Sequence, residues 1–332
     1  MLGFFEGIGH FVLSMLEYIG GSVRLFTKCM GFLMRGKFRI PLTINQMSFL
    51  GVNSLLIVLM TTTFAGMVIA LQLAHVAVQY GVGKMVGGSA SLAMARELGP
   101  MLTAIVVAGR AGSAITAEIG SMKVTEQIDA LKMLAVSPIG YLVVPRLLAM
   151  VFMMPLLTLF SDISGLVGGS IVANESAGIP YQVFWDSVRR MTLTEDLMKG
   201  LLKSLIFGVE VAIISCHQGL TTGRGAAGVG KATTGSVVIS MVVVFISNYI
   251  LSAIMFMGTR AALRDDAIVV KNLRVAFGAK EILKDVSFTV KRGEVLVLMG
   301  LSGTGKSTTL RSIAGLLTPN SGEVLVNGRS IP

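Results

Sequence analysis

Ile40-Pro-Leu-Thr-Ile-Asn-Gln-Met-Ser-Phe-Leu-Gly-Val-Asn-Ser-Leu-Leu-Ile-Val-Leu-Met-Thr-Thr-Thr-Phe-Ala-Gly-Met-Val-Ile-Ala-Leu-Gln-Leu-Ala-His-Val-Ala-Val-Gln-Tyr-Gly-Val-Gly83 contains no Lys, Arg, Asp or Glu in 44 residues (40 to 83 inclusive). A helix of about 20 residues, rising about 1.5 Å per residue, crosses the ~30 Å hydrocarbon core of a bilayer. The run is long enough with residues to spare, and buried core helices of water-soluble proteins rarely need such length. A second run, Ala232–Thr259, lacks all four charged types over 28 residues (232 to 259 inclusive). Together these runs make the chain a membrane protein.

Composition agrees with that class. Hydrophobic residues make up 53% of the chain and charged residues 14%, with a mean hydropathy of +0.77, unlike an ordinary soluble domain. Weaker spans fill the interval between the two runs. Leu98–Ala117 is apolar apart from Arg110, and Tyr141–Asn174 is interrupted by Arg146 and Asp162. Gly200–Cys216 carries Lys203 and Glu210 and is the least apolar of the set. The expectation is five spans. The 39 glycines suit close packing of membrane helices. Cys29 and Cys216 have no repeating spacing, so they support neither a disulfide framework nor a metal site. His75, within an apolar stretch, reads as packed or hydrogen-bonded rather than as a ligand. No low-complexity tract or strong internal repeat is evident.

The N-terminus lacks the basic leader and cleavage site of a signal peptide. Glu6, His10, Ser14, Glu17, Gly21, Arg24 and Lys28 recur at helical spacing opposite Phe4, Phe5, Ile8, Phe11, Val12, Met15 and Leu16. Residues 1–39 therefore read as an amphipathic helix in the membrane interface followed by a basic linker. A helix packed on the protein's own bundle is the alternative. Arg24, Lys28, Arg35, Lys37 and Arg39 precede the first span, which puts the N-terminus on the cytoplasmic side. The net charge of +10 fits attraction to anionic headgroups. Nucleic-acid binding is not expected, because no basic patch is interleaved with aromatic residues.

Near the C-terminus the chemistry changes. Gly300, Leu301, Ser302, Gly303, Thr304, Gly305, Lys306 and Ser307, followed by Thr308, fill every defined position of G-x-x-x-x-G-K-[ST]. In such a loop backbone N–H groups turn onto phosphates, Lys306 reaches the β/γ oxygens and the Ser307 hydroxyl is placed for Mg²⁺. The apolar run Glu294–Met299 reads as a buried strand and Lys306–Leu317 as the helix after the loop, whose dipole favours the same anion.

Ile268–Phe277, Ile282–Phe288 and Ala314–Val324 flank this loop and resemble the start of an ABC-transporter ATPase. By that resemblance Phe277 stacks on adenine, and ATP with Mg²⁺ is the implied cofactor. The resemblance covers about residues 267–332 and ends before the family's glutamine loop, signature motif, Walker B acid and switch histidine. Hydrolysis then lacks the groups that polarise water and close on the γ-phosphate, so no ATPase activity is expected of this chain alone.

A second resemblance lies in the middle. Ala95-Arg-Glu-Leu-Gly-Pro100, Ala108-Gly-Arg110-Ala-Gly-Ser113, Ala117-Glu118-Ile-Gly-Ser-Met122, Lys123-Val-Thr-Glu-Gln127-Ile-Asp129 and Pro138–Ala149 run together. They are similar to the MlaE permease family, the membrane subunits of ABC systems that move phospholipid between membranes. Gly230–Val238 and Tyr249–Phe256 resemble that family's last span, although Asn248 stands where relatives often carry Asp. The resemblance covers about residues 1–258.

It implies an all-α polytopic bundle of about five transmembrane helices (residues 40–259) in a bacterial inner membrane. A junction (260–266) and a truncated α/β P-loop NTPase fragment (267–332) follow. The implied partners are a complete ABC ATPase, a periplasmic MCE-type lipid-binding subunit, a second permease copy and phospholipid. The polar segment Glu118–Ser137 becomes a coupling helix, with Glu118, Lys123, Glu126, Gln127 and Asp129 as contacts for the ATPase. The charge pattern alone suits an ordinary solvated loop equally well. Arg110, Asp162 and Glu210, ionisable at membrane depth, either line a headgroup path or pair with one another.

Five spans from a cytoplasmic N-terminus leave residues after Thr259 outside, where the phosphate loop meets little ATP. A fused or truncated gene product is the expected explanation. The functional alternative is a truncated ATP-binding half-transporter that exports another hydrophobic substrate.

Overall fold

The computed structural model describes residues 2–36, 39–262, 266–277, 280–300, 303–326 and 329–331. Its contacts divide the chain into two units, Met1–Ser252 and Ala253–Pro332.

Helix α1 (Leu2–Met34) opens the first unit, and α2 (Ile40–Met47) continues into α3 (Asn53–Gln79) through a wide π-type turn at Ser48–Val52. Helices α4 (Val86–Ala93), α5 (Gly99–Val107) and α6 (Ser113–Val124) form one interrupted rod, with π-type turns at Met94–Leu98 and Ala108–Gly112. A short α7 (Gln127–Met133) leads to α8 (Val144–Ala177), α9 (Tyr181–Met191), α10 (Thr194–Leu220) and α11 (Gly225–Ala262). Pro41 opens α2, where the missing N–H is one the helix would leave unbonded anyway, and Pro100 and Pro145 stand at the starts of α5 and α8.

Among the described residues, four stretches are long and apolar enough to cross a membrane: Ile40–Gln79, Gly83–Val124, Ile139–Ala177 and Gly225–Met255. The chain is thus a multi-pass membrane protein. The remaining expected span, Gly200–Cys216, lies within α10, whose 27 residues include charged groups that lower its hydropathy. Those groups are turned inward, with Asp196 3% and Lys203 0% exposed. Helix α10 runs parallel to the α4–α6 rod. A Cβ on Gly200 would lie 2.0 Å from the Ala95 carbonyl oxygen, and one on Gly219 would lie 2.8 Å from Ile119 Cβ.

Small residues let these helices approach. A Cβ on Gly66 of α3 would sit 2.0 Å from the carbonyl oxygen of Gly165 on α8. Beside that crossing, the Thr62 and Ser164 hydroxyls hydrogen-bond at 2.8 Å. Leu50, Val107, Ile115, Met154 and Phe207 are buried together in the core. The outer surface stays apolar, with Leu56, Phe64, Phe152, Tyr249 and Ile254 all exposed, as a helix face in lipid requires. His75 Nδ1 meets the Leu71 carbonyl of its own helix at 3.0 Å, the hydrogen bond expected of it.

Both readings of the N-terminal helix contain part of the answer. Leu25 and Cys29 of α1 are buried against the bundle, while Val12, Leu13, Met15, Leu16 and Val23 are exposed. The helix packs on the bundle and still offers an apolar face. Phe4, Phe5, Glu6, Ile8 and Phe11 have side chains outside the described set.

The second unit holds β1 (Asp266–Phe277), β2 (Lys280–Lys291), α12 (Lys306–Ile313), β3 (Ser321–Val326) and β4 (Arg329–Ile331). The sheet order is β2-β1-β3-β4, every neighbouring pair antiparallel. Val270, Leu273, Val275, Leu283 and Val324 form its core, against which Ile313 of α12 and Leu317 pack. The expected strand Glu294–Met299 does not form. Residues 294–300 carry no ladder, and Val295 and Met299 are each 87% exposed. An apolar strand of that kind needs paired neighbours to satisfy its backbone, and β1–β4 pair only with one another. The helix after the loop also ends at Ile313, earlier than the expected Leu317.

Candidate functional site

Two places in the molecule collect functional groups. The first lies in the bundle, where the π-type turn Met94–Leu98 adds a residue per turn and aims Arg96 and Glu97 at α10 and α11. Such bulges occur frequently at functional sites. Lys203 of α10 is fully buried. Its Nζ donates to Ser252 Oγ at 2.7 Å, to the Arg96 carbonyl at 2.8 Å, to Glu97 Oε1 at 2.9 Å and to Asn248 Oδ1 at 3.5 Å. Asn248 Nδ2 and Ser252 Oγ of α11 complete the Glu97 carboxylate, each donating to Oε2 at 3.0 and 2.9 Å. Arg96 Nε in turn donates to Asp196 Oδ1 at 2.8 Å, and Asp196 Oδ2 accepts from the Leu193 N–H at 3.1 Å at the start of α10. Two cations and two anions thus balance in one cluster that ties the rod, α10 and α11 together. An uncompensated member would be strongly destabilising at this burial.

Of these residues, sequence reasoning named Lys203 only as an interruption of an apolar span and Asn248 only as a departure from relatives. Arg96 and Glu97 passed as part of a motif. The available signal was that a lysine at membrane depth needs an acid. Its acid, however, lies 106 residues earlier.

The three expected intramembrane groups do not pair with one another. Arg110, in the turn Ala108–Gly112, donates to the Phe49 carbonyl and to Ser54 Oγ, both at 3.0 Å, with its guanidinium over the Phe49 ring. Glu210 accepts from Ser247 Oγ of α11 at 2.8 Å. Asp162 is 5% exposed on α8, and both of its carboxyl oxygens lack a hydrogen-bond partner among the described residues. It packs where Gly99 has no side chain, since a Cβ there would come within 1.8 Å of Oδ1.

The segment expected to couple to an ATPase is a helix–turn–helix. Glu126, at φ 60°, breaks α6 from α7. Glu126, Gln127 and Asp129 are exposed and Lys123 is half-buried, while Asp129 holds Lys132 at 2.7 Å. Glu118 is turned elsewhere, toward Arg146 of α8 at 2.7 Å. Helix α6 is bonded to α10 through Thr116 Oγ1 and the Ser215 carbonyl at 3.0 Å.

The second place is the phosphate loop. Gly303 and Gly305 take φ of +87° and +90°, a left-handed backbone that glycine adopts without strain. Gly305 caps α12, so the first-turn N–H groups of that helix are available to an anion. Lys306 Nζ donates to the Gly300 carbonyl at 2.6 Å and lies 3.4 Å from Thr304 Oγ1, folded along the loop. Ser307 and Lys306 border a cavity of about 710 Å³. Thr308 follows in the first turn of α12. Leu301 and Ser302 lie outside the described residues. Phe277, 56% exposed, ends β1. The residues present fit a polyphosphate: positive-φ glycines, a helix N-terminus and one lysine. Among the described residues no group of three His, Cys, Asp or Glu side chains could hold a metal, so Ser307 would share Mg²⁺ with the phosphates themselves.

Comparison with known proteins bears on the larger unit. The profile described as Permease MlaE matches residues 43–254. The chain belongs to the MlaE permease family. That match runs from α2 through most of α11 and so includes the whole buried network. The chain is 47% identical over 227 residues to the probable ABC transporter permease protein slr1045 of Synechocystis, covering 68% of this chain and 86% of the relative. It is 37% identical over 258 residues to the intermembrane phospholipid transport system permease protein MlaE of Haemophilus influenzae, covering 77% and 98%. It is 38% identical over 233 residues to TRIGALACTOSYLDIACYLGLYCEROL 1, a chloroplastic protein of Arabidopsis thaliana, covering 70% and 67%. The profile described as ABC transporter matches residues 283–332, from within β2 onward, and leaves Phe277 outside it.

Proposed function

We propose that this chain is the membrane-spanning permease subunit of an ABC-type system that moves phospholipid between membranes. In this reading it sits in a bacterial inner membrane as one of two copies. A separate complete ATPase and a periplasmic MCE-type lipid-binding subunit work with it. The observation that carries the reading is the match to a relative named for intermembrane phospholipid transport over 98% of that relative's length.

Five crossings accord with the packing of α10. From Gly200 to Gly219 it rises about 28 Å, close to the hydrocarbon thickness, while its charged groups are held inward by the buried network. The exposed apolar face of α11, with Val238, Val242, Phe245 and Tyr249, suits a second copy. Helix α7, with Glu126, Gln127 and Asp129 outward, offers a contact for the ATPase. Movement there would pass through α6 to α10 by the Thr116–Ser215 bond and reach Lys203 near the other end of that helix. At the phosphate loop, the backbone of Gly303–Gly305, Lys306 and Ser307 would hold the phosphates of ATP, which when bound supplies Mg²⁺-bridged negative charge.

The test is reconstitution with an ATPase and an MCE-type subunit in liposomes carrying a fluorescent phospholipid. ATP-dependent transfer of that lipid is expected. Absence of lipid transfer, together with export of a non-lipid hydrophobic compound, would sink the proposal. The match at residues 283–332 favours a second reading, an ATP-binding half-transporter. An in-frame continuation into signature and Walker B motifs at the gene level would support it.

A further inference from the structure

The polar stripe of α1 has a use beyond solvation. Glu17, Gly21 and Arg24 share one side of that helix at i, i+4 and i+7 spacing. In the structure this side faces the end of α10 and encloses a cleft of about 580 Å³, bordered by Ser14, Glu17, Tyr18, Arg24, His217 and Thr221. Gly20 and Gly21 leave its floor bare. A Cβ on Gly21 would come within 2.4 Å of His217 Nε2, so glycine lets the imidazole lie against the helix. Tyr18 meets the same ring edge-on at a centroid distance of 4.9 Å. His217 Nδ1, buried in the wall, has no hydrogen-bond partner among the described residues.

An apolar pocket of about 270 Å³ adjoins this cleft. Tyr18 borders both, and Ile19, Val23, Phe26, Ile213 and Val243 complete most of the second wall. Ile213 lies one turn before His217 on α10, about 6 Å further into the bundle. The polar compartment is at the helix end, beside the α6–α7 turn, where a Cβ on Gly120 would meet Thr222 Oγ1 at 2.9 Å. A charged compartment at headgroup level above an apolar one is the shape of an amphiphile.

Its charges narrow the choice. Glu17 and Arg24 lie about 10 Å apart along α1, one anion and one cation. A headgroup with only negative charge would meet Glu17, and one with only positive charge would meet Arg24. A zwitterion satisfies both. A primary ammonium, unlike a quaternary one, can also donate hydrogen bonds to the carboxylate. We propose that the cleft between α1 and α10 binds the headgroup of an amine-bearing zwitterionic phospholipid. Arg24 faces its phosphate, Glu17 faces its ammonium, His217 forms part of the wall between them, and one acyl chain enters the adjoining pocket. This requires only that the chain sits in a phospholipid bilayer, not that it transports lipid.

The test uses the full chain in detergent, exposed to mixed micelles of equal phosphatidylethanolamine, phosphatidylcholine and phosphatidylglycerol, with retained lipids counted by native mass spectrometry. Phosphatidylethanolamine should be retained over phosphatidylglycerol by about fivefold, the factor for roughly 1 kcal/mol. Glu17→Gln should erase that preference by favouring the anionic lipid. Arg24→Gln should lower retention of both lipids, and Arg35→Gln, outside the cleft, should change neither. Glu17 and Arg24 are exposed, so unchanged melting temperatures will show that the variants fold. Equal retention of all three lipids by the unsubstituted chain would overturn the proposal. So would an unaltered ratio in Glu17→Gln, or complete displacement of lipid by inorganic phosphate, which would make the cleft a free-anion site.

Discussion

Replacing Lys203 with methionine removes an ammonium while keeping an unbranched chain of similar reach. The bonds lost are those to Ser252 Oγ, the Arg96 carbonyl and Glu97 Oε1, at 2.7, 2.8 and 2.9 Å. Glu97 keeps Asn248 and Ser252 as donors but loses its counter-charge. Removing one partner of a fully buried ion pair costs about 3–5 kcal/mol. The Glu97 side chain is 36% exposed, so water screens part of that, and the expected cost is about 2–3 kcal/mol. At about 2–4 °C per kcal/mol for a chain of this size, the melting temperature should fall by roughly 4–12 °C. The assay is thermal unfolding of the purified protein in detergent, followed by the surviving monodisperse peak. Combining Lys203→Met with Glu97→Gln removes the stranded carboxylate as well. The double variant should therefore be more stable than the sum of the single losses by at least about 1 kcal/mol. A Lys203→Met variant melting within about 1 °C of the parent would refute the reasoning, as would strict additivity in the cycle.

Gly66→Ala should destabilise by about 2 kcal/mol or more, because the new methyl meets the backbone oxygen of Gly165, which cannot turn away; Gly109→Ala, with nothing within 4 Å, should be neutral or stabilising in the same melting assay. Lys306→Ala should abolish binding of a fluorescent ATP analogue to the full chain, and unchanged affinity would remove the lysine from the phosphate site. Cysteines introduced at Leu193 and Arg224, flanking α10, should react with a membrane-impermeant thiol reagent from opposite sides of sealed vesicles. Labelling of both from one side would reduce the crossings to four.

The class of this protein was legible because it rests on composition over long windows. Ile40–Gly83 and Ala232–Thr259 need no tertiary information to be read as membrane helices, since the bilayer itself is the partner of their side chains. Family membership was legible for a similar reason: Ala95–Ala149 is contiguous, and the match at residues 43–254 contains it. The loop glycines were legible because a left-handed backbone is a local property of Gly303 and Gly305.

Legibility failed where neighbours decide. Glu294–Met299 has the apolar content of a strand, but strand formation depends on a partner, and its residues carry no ladder and are exposed apart from the half-buried Leu298. Helix α10 is weak by hydropathy because its charges are counted as though they faced lipid, whereas Lys203 and Asp196 point inward to Glu97 and Arg96. Arg110, Asp162 and Glu210 looked like one set because they share a depth. Depth does not specify azimuth, and each went to a different hydrogen-bond partner or, among the described residues, to none.

By itself, then, the sequence determined that this chain enters a bilayer, that its middle is an MlaE-type permease and that its end carries a phosphate loop. Those properties depend on window hydropathy, contiguous motif and local backbone freedom. Only the tertiary structure decided that Lys203 meets Glu97 across 106 residues, that Gly21 cradles His217, and that Asp162 has no hydrogen-bond partner among the described residues. Such contacts depend on which faces of helices distant in sequence turn toward one another, and packing alone sets that.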